Sequence, residues 1–200
     1  MLHPHTELRF VNEVIGYGVF ATQFIPKGTI TWVRDELDRI FTPEQVARLR
    51  DPYARIIGRY GYLDRHGGTI FCWDHARFMN HSCQATCLSA GYDFEICLRD
   101  VEAGEELTDD YGTLNLEETF ECACGKPNCR GQIMPDDISR LADDWDARLR
   151  LLFPLIPQLE QPLWPLVHEK ELVELAAAQP AHMRSCRWHQ FNAPAELRAG

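Results

Sequence analysis

Apolar and polar positions alternate in short runs through the first third of the chain. Leu8–Glu13, Tyr17–Gln23 and Thr29–Val33 are rich in β-branched and aromatic residues and are punctuated by Gly and Pro, which predicts short strands joined by tight turns. Ile25-Pro26-Lys27-Gly28 reads as one such turn, with Pro fixing φ and Gly permitting it. The spacing then changes. Val46, Leu49, Tyr53, Ile56 and Ile57 form an apolar stripe at helical intervals between Pro43 and Tyr60, with Thr42 placed to cap it and Asp51-Pro52 placed to split it. Strand character returns at Thr69–Trp73, Cys87–Ser89, Phe94–Leu98 and Glu106–Tyr111, with a second turn at Val101-Glu102-Ala103-Gly104. Asp136–Phe153 and His168–Gln179 read as helices joined by the proline-punctuated stretch Pro154–Pro165. The expectation is a mainly β body with a short helical insert, followed by a helical C-terminal appendage.

Composition narrows this picture. The 200 residues are 45% apolar and 25% charged, enough to build a core and remain soluble. No run approaches the roughly 20 consecutive apolar residues of a membrane helix. Met1–Phe10 carries His, Pro, Thr and Glu rather than a basic segment and an apolar run, so no secretory signal is expected. Thirty acidic side chains against 20 basic give a net charge of −10, which argues against a duplex nucleic-acid binder. Eleven of the acidic residues fall between Tyr92 and Glu121, where Arg99 is the one basic residue. They form either a solvated face or an electrostatic funnel for a cationic partner.

Four short segments carry candidate chemistry. Gly16-Tyr17-Gly18-Val19-Phe20-Ala21 has the glycine spacing of a dinucleotide fingerprint, but a turn and a strand follow where a helix is needed. Its glycines therefore serve a sharp turn or a close approach of backbone to a ligand. Arg77-Phe78-Met79-Asn80-His81-Ser82-Cys83 sets an amide, an imidazole, a hydroxyl and a thiol in a row, costly to bury unless paired. Glu105–Gly112 ends an acidic strand on Tyr111. Cys122, Cys124 and Cys129 lie within one Gly- and Pro-containing knuckle. With eight cysteines and no export signal, this cluster reads as metal-binding in a reducing compartment. A structural zinc needs four ligands, and spacing leaves the fourth open among Cys72, Cys83, Cys87, Cys97 and a histidine.

In this order the four segments resemble a SET-domain methyltransferase with a post-SET cysteine motif, over roughly Glu7 to Gln132. The resemblance implies a β-rich fold in which the N-H-S-C and D-Y segments cross like a pseudoknot, and transfer of a methyl group from S-adenosylmethionine to a protein lysine. It implies that Gly16, Tyr17, Gly18, Arg77, Phe78, Asn80 and His81 bind that co-substrate, that Tyr111 is catalytic, and that Cys83 joins Cys122, Cys124 and Cys129 on a structural zinc. It also implies a SET domain over 1–112 with an insert near 35–68, a zinc knuckle over 113–133 and a helical extension over 134–200. The partner implied is a basic protein or peptide, with no membrane, and the location is a reducing intracellular one, cytoplasmic or, in a eukaryote, nuclear.

Two departures bear on this reading. Gln84-Ala85-Thr86 replaces the family's usual Pro-Asn continuation, and Cys87 stands close enough in sequence to rival Cys83. Asp109 occupies the channel position where lysine methyltransferases of this family commonly carry Phe or Tyr. An acid there can hydrogen-bond a substrate amine, accept its proton, or face away. It keeps open a small-molecule or peptide substrate, and a different class of function is a non-catalytic, zinc-binding interaction module. Cys186 and His189, on one helical face, are expected to pack rather than to bind metal.

Overall fold

The computed structural model describes residues 1–191, so the last nine residues of the expected extension lie outside the described residues. Two strands open the chain, β1 (Thr6–Asn12) and β2 (Gly16–Ala21), joined by a tight turn in which Gly16 takes φ +86°. They form a sheet of order β1-β2-β10-β7 with β7 (Asn80–His81) and β10 (Glu106–Asp109). A second sheet, β3-β9-β8, joins Ile30–Val33 (β3), Phe94–Cys97 (β9) and Cys87–Ser89 (β8). The insert contributes β4 (Arg39–Phe41), α1 (Pro43–Ala47), α2 (Tyr53–Tyr60), β5 (Tyr62–Leu63) and β6 (Thr69–Phe71), with its strands in the order β4-β6-β5. A hairpin of β11 (Phe120–Glu121) and β12 (Gln132–Ile133) precedes α3 (Asp137–Arg150) and α4 (Lys170–Ala178).

Local chemistry explains several boundaries. Thr42 caps α1 with its side chain on the Gln45 N–H while the Gln45 side chain returns to the Thr42 backbone. Pro52 separates α1 from α2 as its position in the stripe implies. The strand expected to reach Tyr111 stops at Asp109, because Asp110 turns the chain by accepting from the Gly112 N–H at 3.0 Å. The C-terminal helices are shorter than their apolar patterns suggest, with the chain continuing through 3₁₀ turns at Phe153–Gln158 and Trp164–Leu166.

The central β3-β9-β8 sheet is buried on both faces and so belongs to two cores. Phe94 and Ile96 face Ile138, Trp145 and Leu149 of α3 and Val173 of α4. Cys97 and Trp32 face the other way, toward Val19, Ala21 and Leu107 of the four-stranded sheet. Since successive strand residues point to opposite faces, Glu95 is directed into this second core beside Cys97, and Asp109 follows Leu107 toward the same space. The turn Cys186–His189 packs against this body, with the Cys186 thiol on the Ser89 carbonyl and the His189 ring on that of Ala90, as packing rather than metal binding requires. No helix among the described residues is long and apolar enough to cross a membrane.

Candidate active site

β7 runs parallel to β10, with Asn80 beside Thr108 and His81 beside Asp109. The chain then folds over the strand it has just joined. Ser82 donates its N–H to the Asp109 carbonyl at 3.0 Å. Thr86 and Thr108 exchange hydroxyl and main-chain hydrogen bonds at 2.7–3.2 Å. Thr86 thereby fixes the turn that departs from the family pattern. Asn80 Nδ2 donates to the Tyr17 carbonyl at 3.1 Å and to Glu106 Oε1 at 2.7 Å, clasping β2 to β7 and β10. Gly18 is part of this clasp, because a Cβ there would fall 2.3 Å from Glu106 Oε1.

Tyr111 begins the 3₁₀ turn that follows β10 and hangs between β7 and the Met79 backbone. Its hydroxyl donates to the Met79 carbonyl at 2.7 Å, and its N–H donates to His81 Nδ1 at 3.1 Å. Burial, with the nearby carboxyls of Asp109, Glu95 and Glu106, raises its pKa, so the phenol stays neutral. Because Nδ1 of His81 accepts, Nε2 carries the proton and donates to Cys83 Sγ at 3.3 Å. Burial outweighs the pull of Asp110 and lowers the His81 pKa. Asp110 itself is held by both terminal nitrogens of Arg130, at 2.5 and 2.9 Å.

The structure brings Cys83, Cys122, Cys124 and Cys129 together, their sulfurs all within 4.8 Å of one another. Cys122 Sγ lies 3.7 Å from Cys83 and 3.6 Å from Cys129. A sulfur tetrahedron around zinc, with bonds of about 2.3 Å, has edges of about 3.8 Å, so the four thiols fit that ion. Main-chain N–H groups of Arg130 and Gly131 point at Cys83 and Cys129. Burial works against ionising Cys124, but the N–H groups of Cys83 and Lys126 and the thiols of Cys122 and Cys129 outweigh it and lower its pKa to about 6. Cys87 is not in this group. It is fully buried on β8, 3.9 Å from Cys97, and burial raises its pKa.

A cleft of about 700 Å³ opens beside Tyr111, between the insert and the second core. Trp32, Tyr62, Glu95, Asp109 and Tyr111 line its inner part, and Arg65, Glu117 and Trp188 line it further along. Of the residues expected to bind the co-substrate, Arg77 lines this cleft, with Nη1 committed to the Trp73 and Asp74 carbonyls at 2.8 and 2.6 Å. Gly16, Tyr17, Gly18, Phe78, Asn80 and His81 gather along β2 and β7 instead, with the Tyr17 ring edge-on to Phe78 at 6.1 Å. Two half-exposed rings flank β7 here: Tyr17, 48% exposed, and Phe120, 45% exposed and 6.4 Å from the His81 ring. Open aromatic faces beside a main-chain edge suit a flat, partly apolar group such as a nucleobase.

Glu95 and Trp32 are among the lining residues that motif spacing did not indicate. A charged side chain between Phe94 and Ile96 in a core strand is a signal in itself, whereas nothing singles out Trp32 among the tryptophans. The acidic stretch is divided by the fold. Asp93 pairs with Arg34, Glu105 with Arg99 and Asp110 with Arg130, while Glu95 and Asp109 are buried and Glu117 and Glu118 stay exposed.

A family model described as the SET domain matches residues 16–112. This segment carries a SET domain. The SET domain thus includes the glycine strand, the Asn80–His81 strand and Tyr111, while the cysteine knuckle and C-terminal helices lie beyond the matched residues. Histone-lysine N-methyltransferase ASHR3 of Arabidopsis thaliana is 33% identical over 87 residues, covering 39% of this chain and 18% of that protein. The H3 lysine-36 specific histone-lysine N-methyltransferase of Mycosarcoma maydis is 30% identical over 139 residues, 61% of this chain and 14% of that protein. The methyltransferase domain of human SETMAR superposes with a TM-score of 0.46 at 20% identity, covering 66% of this chain and 58% of that one. The chain therefore spans less than a fifth of the length of the two curated relatives named here.

Proposed function

We propose that the protein transfers a methyl group from S-adenosylmethionine to the side-chain amine of a lysine in a basic protein or peptide. The observation that carries this reading is the placement of Tyr111. Its neutral hydroxyl, fixed on the Met79 carbonyl, stands at the wall of a cleft and next to the strand that the glycine and N-H segments share. The co-substrate supplies an electrophilic methyl group on a sulfonium when bound. Tyr17, Phe120 and the main chain of Gly16–Gly18 and Asn80–His81 are the residues placed to hold it. This chain's remaining task is to align a neutral amine and exclude water, which a narrow, buried channel does by disfavouring the charged amine. The Tyr111 oxygen and the Met79 carbonyl are positioned to accept from the amine or to contact the polarised methyl group.

Cys83, Cys122, Cys124 and Cys129 would hold one zinc ion with a structural role. Its chemistry fits their sulfur spacing, and through Cys83 and Arg130 it would steady His81 and Asp110. The relatives' names point to histone proteins as their substrates, and the exposed Glu117 and Glu118 near the cleft suit a basic partner here. A small-molecule amine is the second reading, favoured by the acidic interior of the cleft at Asp109 and Glu95. The test is transfer of a labelled methyl group to a panel of basic proteins, peptides and metabolites. Label in lysine side chains supports the first reading, label confined to metabolites selects the second, and no label with co-substrate bound refutes both.

A further inference from the structure

The inner cleft contains polar atoms that the fold leaves without partners. Asp109 is 3% exposed, Trp32 7% and Glu95 9%. Asp109 Oδ1, Glu95 Oε2 and Trp32 Nε1 are each buried with no hydrogen bond among the described residues. All three residues line the same cleft as Tyr111. Trp32 sits opposite Glu95 in the β3–β9 register, and Asp109 reaches the space from β10, the strand that leads into Tyr111. Unpartnered carboxyls in an apolar core are costly unless something meets them, so two in one place, beside an indole N–H, describe a site made for a polar ligand.

We propose that Asp109 and Glu95 form an anionic subsite for one primary ammonium group of the substrate, and that Asp109 takes up the proton the amine must lose before it attacks. This rests on the methyl-transfer reading above. The charge argument runs from the walls. Two carboxyls in a site lined by Trp32, Tyr62 and Tyr111 cannot both ionise, so the pair holds one proton and one negative charge, which a monocation neutralises. A divalent metal is a poor match, because a pair that keeps one proton presents a single ionised carboxylate where such an ion takes about six or more oxygen ligands. A guanidinium is also a poor match, because no carboxylate removes its proton.

The step balances simply. A proton passes from the ammonium nitrogen to a carboxylate oxygen of Asp109. The freed nitrogen lone pair forms a bond to the methyl carbon as the carbon–sulfur bond breaks, and that electron pair stays on sulfur. The product leaves as a secondary ammonium, and Asp109 returns one proton to solvent per methyl group. Burial, then the charge of neighbouring Asp110, raises the Asp109 pKa to about 7, matching a proton acceptor that works near neutrality. The titratable and charged groups around it are Asp110 with its partner Arg130, Glu95 on β9, His81 on β7, Tyr111, and Cys186 of the C-terminal turn. Glu95 is raised further, by burial and by Asp109, and so keeps the shared proton while Asp109 ionises.

The probe is Nα-acetyl-lysine amide, titrated calorimetrically into the full chain, with its Nε-acetylated neutral counterpart as control. In the unmodified protein, affinity for the amine is expected to rise up to about tenfold per pH unit toward neutrality and then level, because the cation needs ionised Asp109. Affinity that is flat from pH 5 to 8, equal binding of the neutral counterpart, or no binding overturns the subsite without any variant. Asp109→Asn, nearly isosteric, is expected to weaken amine binding at least tenfold while leaving S-adenosylhomocysteine affinity unchanged. In turnover, the wild-type kcat should level off above neutral pH. Asp109→Asn should lose about 10²–10⁴-fold at pH 7 and then climb with pH, with a smaller change in KM. Superimposable pH profiles would refute proton acceptance. A wild type that binds the amine and the co-substrate yet transfers no methyl group would overturn the methyl-transfer reading and leave the ammonium subsite standing.

Discussion

Removing metal from the cysteine knuckle is expected to unfold the hairpin from Phe120 to Ile133 while the two cores stay folded. Of the four residues in β11 and β12, only Ile133 is buried. Ordering a dozen such residues costs on the order of 10–20 kcal/mol at about 1–2 kcal/mol each. Burying one isoleucine returns about 2–3 kcal/mol. A thiolate-bound structural zinc contributes about 10–16 kcal/mol, so the ion decides whether the hairpin forms. The assay is hydrogen exchange before and after chelation. Protection of the Cys122 amide, which donates to the Gly131 carbonyl at 2.8 Å, should vanish, while that of Cys97, bound to Thr29 at 2.8 Å inside the body, should persist. Cys83→Ser should lower zinc content, and Cys87→Ser should leave it unchanged. Full protection of Cys122 after verified metal removal, or zinc loss in Cys87→Ser alone, would refute the reasoning.

Four further outcomes follow from other contacts. Tyr111→Phe is expected to cut methyl transfer by about 100-fold while binding co-substrate and unfolding cooperatively, since it removes a hydroxyl fixed at 2.7 Å from Met79; steady-state kinetics and calorimetry check this. Arg130→Met leaves the Asp110 carboxylate buried without its two-pronged partner and should destabilise by about 3 kcal/mol in urea unfolding. Gly91→Ala would place a Cβ 2.3 Å from the Arg184 carbonyl oxygen, so a cost of about 1–3 kcal/mol is expected in thermal unfolding, with no effect on zinc content. The Asp109 carboxyl is more basic folded, at about 7, than its ordinary 3.8, so it stabilises below pH 3.8 and that stability is lost as pH rises through 7. His3, lowered to about 4 by burial and by His5, acts in the opposite sense between pH 6.5 and 4, so Asp109→Asn should flatten only the Asp109 limb of a stability–pH curve.

Element types and order were legible wherever period and punctuation agreed. Thr42, Pro43 and Asp51-Pro52 mark α1 and α2, and Cys87–Ser89 appears in the structure with the expected bounds. The two-residue strands at Tyr62, Phe120 and Gln132 were not legible, because two residues show no period and their pairing is set by distant partners. Cysteine clustering indicated three of the four gathered thiols, and the family pattern indicated Cys83. Spacing could not, since Cys83 reaches the knuckle through the chain crossing at β7 and β10. The acidic interior was half legible. Asp109 stood out against a motif, but that Glu95 meets it depends on which face of β9 turns toward β10.

Asn115 has a consequence for the order of events during synthesis. Its amide donates to the Leu63 carbonyl at 3.0 Å and to the His189 carbonyl at 2.9 Å, and its oxygen accepts from Phe191 at 2.7 Å. One side chain thus ties the insert, the stretch after Tyr111 and the C-terminal turn around the cleft. Contacts so remote in sequence close late, after the local hairpins and helices. A ribosome-bound chain that already displays every SET motif still lacks the wall supplied by Trp188 and His189. The cleft is therefore expected to become competent only after residue 191 has left the exit tunnel, later than the residues that carry the SET motifs.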